Sequence, residues 1–70
     1  MNDDLDILLD GQPRRIPAGS SLQSLMDELD MNPADAATAV NGEFVARGAR
    51  ADRLLQGGDS VMLFRAIVGG

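Results

Sequence analysis

Gly58-Asp59-Ser60-Val61-Met62-Leu63-Phe64-Arg65-Ala66-Ile67-Val68-Gly69-Gly70 closes the chain and decides how the rest must be arranged around it. Val61 to Phe64 are apolar at odd and even positions alike. A strand with one wet face alternates in polarity, whereas an unbroken apolar run needs material on both faces. The stretch therefore predicts a central strand, entered through the turn Gln56-Gly57-Gly58-Asp59. Side chains alternate along a strand, so if Val61 and Leu63 face a helix, Met62 and Phe64 face away from it. Either a loop covers these two, or they form an apolar patch that meets a partner. The partner surface is the expectation, with Ile67 and Val68 extending it toward the terminus.

Outward from that strand, two turn dipeptides organise the chain. Asp10-Gly11 follows Leu5, Ile7 and Leu9, which alternate with Asp4 and Asp6 at the period of a half-buried strand. Both turn residues tolerate positive φ, so a hairpin is expected. Its return arm, about Pro13 to Ile16, carries Arg14 and Arg15 and suits a sheet edge. Asn41-Gly42 between Thr38-Ala39-Val40 and Phe44-Val45-Ala46 predicts a second hairpin. With Asn41 and Gly42 as the loop, Ala39 pairs with Phe44 and Val40 with Glu43. That register would bury Phe44 and expose Val45, and a bulge would reverse them; the sequence leaves both open.

Between the hairpins, Leu22, Leu25, Met26 and Leu29 recur at i, i+3, i+4 and i+7, the stripe of a helix over roughly residues 21 to 31. Ser20 with Gln23 fits a capping box, and Ser21 is an equally good single cap. Asn32-Pro33 is the expected stop, and Pro33 can open one short turn through Ala37. The helical stripe should pack on Ile7, Leu9, Val61 and Leu63. Asp27, Glu28 and Asp30 lie near the helix C-terminus, where the macrodipole disfavours them slightly. Solvation accounts for such acids, with steering toward a basic surface as the alternative. Residues 47 to 55 lack a period and read as an irregular loop with room for one helical turn.

The composition narrows the function. Seventy residues make one domain, and a chain of this size buries only about 60% of its unfolded surface. Cysteine and histidine are absent, which excludes disulfides, thiol chemistry and the common zinc sites. No apolar run approaches the roughly 20 residues of a membrane span, and the acidic start is no signal peptide. The cytoplasm is the expected location. The net charge of −5, with arginine as the sole basic residue type, disfavours nucleic acid. It serves solubility or steers the chain toward a partner. Without lysine, the chain offers no side-chain amine as an acyl acceptor.

Conventional catalysis has little to use. Histidine, cysteine, tyrosine and lysine are all missing, so there is no nucleophile–base pair. Asp3-Asp4 and Asp27-Glu28 read as solvated acids rather than catalytic pairs. Gly57-Gly58 is followed by neither a lysine nor a helix, so it is no phosphate loop, and metal binding at Asp59 is unsupported. The terminus stands apart. Gly69 and Gly70 follow an apolar strand with no polar tail, which places a carboxylate on a short lead from a rigid base. Lacking Cβ atoms, they can pass through a narrow channel. An α-carboxylate is ionised at neutral pH and a poor electrophile, so it needs activation, for example as a mixed anhydride with AMP. Sulfur attack on that anhydride would give a thiocarboxylate, a nucleophile carried on a protein.

Ile7-Leu8-Leu9-Asp10-Gly11, Gly19 to Leu25, Ala39 to Arg47 and Gly58-Asp59 to Gly70 together resemble the ubiquitin-like β-grasp sulfur carriers, and among them the ThiS family of thiamine biosynthesis. The resemblance covers nearly the whole chain. Residues 1 to 4 extend the usual start, and Ala46 stands before Arg47 where proline is frequent. The resemblance implies an α+β fold: a mixed sheet of about five strands with one main helix on one face. It implies a single domain over residues 1–68 and a flexible reactive tail at 69–70. It also implies a protein substrate that binds no cofactor. A ubiquitin-activating-type adenylyltransferase would adenylate Gly70 with ATP, and a sulfur donor such as a cysteine desulfurase would supply sulfur. A thiazole synthase would accept that sulfur from the thiocarboxylate. The small subunit of molybdopterin synthase, or another ThiS-like carrier, is the alternative within this chemistry. A β-grasp interaction module with an inert terminus is the alternative outside it.

Overall fold

The structure, a computed structural model, describes residues 4–65. Ile67, Val68, Gly69 and Gly70, singled out above, lie outside the described residues. The chain runs β1 (Asp4–Leu9), β2 (Gln12–Pro17), α1 (Leu22–Glu28), β3 (Ala36–Val40), β4 (Glu43–Val45), a 3-10 turn (Arg47–Ala49) and β5 (Ser60–Arg65). The sheet order is β2-β1-β5-β3-β4. β5 is thus central, parallel to β1 and antiparallel to β3, as its unbroken apolar run requires. β2, with its prolines and arginines, is an edge. This is the mixed five-stranded sheet with one helix that the sequence predicts.

Both turn dipeptides adopt the left-handed conformations that their residue types permit. Asp10 and Gly11 have φ of 51° and 82°, and Asn41 and Gly42 have 54° and 83°. Two consecutive positive φ values give the twist that joins antiparallel strands without splaying them. The registers follow directly, with Leu9 opposite Gln12 and Val40 opposite Glu43.

The helix is shorter than its apolar stripe. Ser21, rather than Ser20, is the N-cap: its hydroxyl accepts from the Ser24 N–H at 3.1 Å, and Ser24 Oγ accepts from the Ser21 N–H at 2.9 Å. A serine thus closes the capping box where glutamate or glutamine usually does. The helix ends at Glu28 because Asp30, at φ 58°, turns left-handed two residues before the expected Asn32. The Met31 N–H then donates to Met26 O and the Asp30 N–H to Asp27 O, the paired bonds of a Schellman ending. Asn32 instead folds an Asx turn, its Oδ1 accepting from the Ala34 N–H at 3.0 Å. β3 begins at Ala36, so the turn opened at Pro33 stops short of Ala37.

Leu22, Leu25 and Met26 are buried, while Leu29 at the helix end is half-buried. Ile7, Ile16, Val40, Val45, Leu55 and Val61 complete the core, with Leu5, Leu9 and Leu63 packed against it. The second hairpin keeps the unbulged register, with Ala39 opposite Phe44, yet Val45 is buried and Phe44 is 72% exposed. The burial expected for that register is therefore reversed. The reason lies in the pairing: Val45 sits opposite Thr38, and Thr38 and Val40 face the helix with Val61. Phe44 shares the other face with Ala39.

Candidate functional site

Two features frame the site: the strand that leads to the terminus, and the sheet face that the helix leaves uncovered. β5 is held along its length. The Asp10 N–H donates to Val61 O at 2.8 Å, and Asp10 Oδ1 accepts from the Leu63 N–H at 3.0 Å. The Asp10 carboxylate thereby continues the β1 pairing one step past the point where the backbone turns away. On the other side, β3 pairs with β5 through Arg65. At the strand's start, the Ser60 N–H donates to Asn41 Oδ1 at 2.9 Å, and Asn41 Nδ2 donates to Asp59 Oδ1 at 2.9 Å. Asp59 Oδ2 also accepts from the Gln56 N–H at 2.8 Å, which closes the turn before β5. Asp59 is therefore a structural acid.

Met62 and Phe64 point away from the helix, 38% and 54% exposed, while Val61 is fully buried. Cross-strand pairing brings Met62 beside Ala39, Ala39 beside Phe44, and Phe64 beside Ala37. The small alanines lower the surface between the larger side chains, giving a continuous apolar face on β5, β3 and β4. On β1 the face continues through Leu8, 41% exposed, and turns polar at Asp6, whose Oδ1 accepts from Arg15 Nε at 3.1 Å across the hairpin.

The segment that follows β4 does not cover this face. The Leu22 N–H donates to Arg53 O at 2.9 Å and the Gln23 N–H to Arg50 O at 3.2 Å, so loop carbonyls satisfy donors in the first helical turn. The Leu55 N–H donates to Ser20 O at 2.9 Å, and Leu55 enters the core. The loop is tied to the helix N-terminus, and Met62, Phe64 and Phe44 stay exposed. Phe44 is a member of the patch that the sequence reading missed, since its face depended on which side of β3 the helix covers.

Arg50 was also missed. It is 2% exposed and lies at the start of β3. Nε donates to Thr38 Oγ1 at 3.1 Å, Nη1 to Pro33 O at 2.9 Å, and Nη2 to Ala36 O. Thr38 Oγ1 in turn donates to Val45 O at 2.9 Å. β4 is only three residues long and pairs with β3 no further than Thr38, so Ala36 has no strand partner there. The guanidinium takes the place of the missing strand. Nothing in the spacing of residues 47 to 55 marks this arginine out from its neighbours.

Two of the three acids near the helix end, Asp27 and Glu28, have local partners. Gln23 Nε2 donates to Asp27 Oδ1 at 3.0 Å, and Arg14 Nη2 lies 3.9 Å from Glu28 Oε1. Among the described residues, no helix is long and apolar enough to cross a membrane.

The comparisons agree with this architecture. A crystal structure of a thiamine biosynthesis protein (ThiS) from Geobacter metallireducens superposes with a TM-score of 0.82. The match covers 94% of this chain and 100% of that one at 20% identity, so it speaks to the fold. The sulfur carrier protein ThiS of Escherichia coli strain K12 is 36% identical over 66 residues, covering 94% of this chain and 100% of that protein. The ThiS family model matches residues 7–70, and with these likenesses it establishes that the chain belongs to the ThiS family as a homologue of a sulfur carrier protein.

Proposed function

We propose that this protein carries sulfur on the C-terminal carboxylate of Gly70, and that it acts as the substrate of other proteins rather than as a catalyst. The observation that carries the reading is the family match, which extends to residue 70 and so includes the glycine pair. Elimination supports it, since no cysteine, histidine, lysine or tyrosine is present to hold or transfer sulfur. Residues 1–68 serve as the domain and Gly69-Gly70 as the reactive tail.

The chemistry follows from the carboxylate. An ATP-dependent adenylyltransferase of the ubiquitin-activating type joins Gly70 to AMP and releases pyrophosphate. The terminal sulfur of a persulfide on a donor such as a cysteine desulfurase then attacks the mixed anhydride, with AMP as the leaving group. A thiol reduces the acyl disulfide so formed, releasing the thiocarboxylate and leaving a disulfide behind. The resulting thiocarboxylate delivers its sulfur to a thiazole synthase in thiamine biosynthesis. The carrier supplies an unhindered terminus, because a Cβ at Gly70 would crowd the approach to the nucleotide. It also supplies a docking face, Met62, Phe64 and Phe44, continued by Ile67 and Val68. The cytoplasm is the location proposed for these steps.

The test is intact mass. Incubation with the adenylyltransferase from the same organism, ATP and a sulfur source should raise the mass by the difference between sulfur and oxygen. Gly70→Ala should fold normally and react poorly. A C-terminal tag, which converts the acid to an amide, should abolish the gain, and an N-terminal tag should not. Sulfur transfer by a C-terminally blocked form would overturn the reading and leave an interaction module with an inert terminus.

A further inference from the structure

Three of the six arginines gather at one end of the apolar face, in a protein whose net charge is −5. Arg47, Arg50 and Arg65 line an open depression of about 500 Å³ with Phe44, Phe64 and Ala37, and among the described residues Asp35 is the one acid lining it. The arginines of β2 are engaged elsewhere, Arg14 near Glu28 and Arg15 on Asp6. Arg47 and Arg65 are exposed and make no ion pair among the described residues.

Arg50 adds a charge that the surface does not neutralise. Its three nitrogens donate to a hydroxyl and two carbonyls, all neutral. Of the five guanidinium N–H groups, these bonds use three. A buried cation is screened by solvent far less than an exposed one, so its field reaches the depression in front of it. The result is an apolar depression lined by one buried cation and by two exposed ones that make no ion pair among the described residues. An anion delivered there loses water but gains charge-assisted hydrogen bonds, which are stronger than neutral ones.

We infer that this depression is a carboxylate subsite within the partner-binding face. An aspartate or glutamate side chain of the adenylyltransferase, set in an apolar surface, enters between Phe44 and Phe64 and pairs with Arg47 and Arg65 in front of Arg50. The inference rests on the functional reading above, which supplies the partner. Charge complementarity selects a carboxylate, and the phenylalanine walls select one carried by a docked protein. A small free acid would gain nothing from the apolar contact.

The experiment is the affinity of the full-length carrier for the purified adenylyltransferase of the same organism, measured across a salt series without ATP. Arg47→Glu and Arg65→Glu should each weaken binding by about tenfold or more and flatten its salt dependence. Arg15→Glu makes the same change in net charge at the opposite edge of the sheet and should leave affinity within about twofold, as a charge remote from the contact does. Unchanged melting temperatures for the three variants exclude loss of fold as the cause. Wild-type affinity in Arg47→Glu and Arg65→Glu would overturn the subsite, and so would an equal loss in Arg15→Glu. Failure of the wild-type protein to bind the enzyme at all would overturn the functional reading instead, and the subsite with it.

Discussion

Arg50 Nε donates to Thr38 Oγ1 at 3.1 Å, which anchors a loop residue at the point where the pairing of β3 with β4 stops. The same guanidinium holds the carbonyls of Pro33 and Ala36, so one side chain fixes the turn before β3 and the entry of β3 together. Arg50→Met keeps much of the apolar stem but leaves those carbonyls without their donor. A loss of roughly 2–4 kcal/mol is expected, since each buried acceptor left unpaired costs about 1–3 kcal/mol. Chemical denaturation of the variant measures it. A loss below about 0.5 kcal/mol, the range of ordinary surface substitutions, would show that water replaces the guanidinium freely.

Leu25 tests the core. It is 1% exposed at the centre of the helical stripe. Leu25→Ala removes buried methyl groups and leaves a cavity, at a typical cost of about 2–5 kcal/mol. In a domain this small that is a large share of the total stability. The melting temperature should fall sharply, and an unchanged value would place this face outside the core.

Asn41 serves two purposes at one position. Its backbone adopts φ 54°, and its side chain bridges Asp59 and the Ser60 N–H. Asn41→Gly preserves the turn and deletes the bridge, whereas Asn41→Asp preserves the turn and sets a second carboxylate against Asp59. Both should destabilise by about 1–3 kcal/mol as partners go unpaired, with the aspartate variant the worse of the two. Equal stabilities in a thermal melt would argue that the Asn41–Asp59 contact contributes nothing through charge.

Phe64 separates surface from core on the same strand. Phe64→Asp should leave the melting temperature nearly unchanged, because the side chain is more than half exposed. It should weaken binding to the adenylyltransferase by about tenfold or more, as loss of an aromatic anchor does. Val61→Asp, by contrast, should prevent folding, since it buries an unpaired charge. A Phe64→Asp variant that binds like wild type would remove this face from the interface.

Local chemistry made much of this protein legible without coordinates. Asp10-Gly11 and Asn41-Gly42 announce their hairpins because few other pairs accept two left-handed conformations in succession. The apolar run from Val61 to Phe64 demands a central strand, and strand parity alone sends Met62 and Phe64 to the face opposite Val61. The terminal glycines and the missing nucleophiles are likewise properties of the chain itself. Each of these readings depends on residues within a few positions of one another.

What the tertiary structure decided involves contacts between distant segments. One exception is local: the helix ends at Glu28, short of Asn32, through a Schellman turn at Asp30, although Leu29 continues the apolar period. Val45 is buried and Phe44 exposed because the helix lies over Thr38 and Val40; pairing register alone carries no information about which side the helix takes. Arg50 is structural while Arg47, three residues earlier, is exposed, and the positions of Thr38 Oγ1 and of the Pro33 and Ala36 carbonyls distinguish them. Periodicity reports the local turn of a backbone. It cannot report where a polar group twelve or more residues away in sequence will be left in need of a partner.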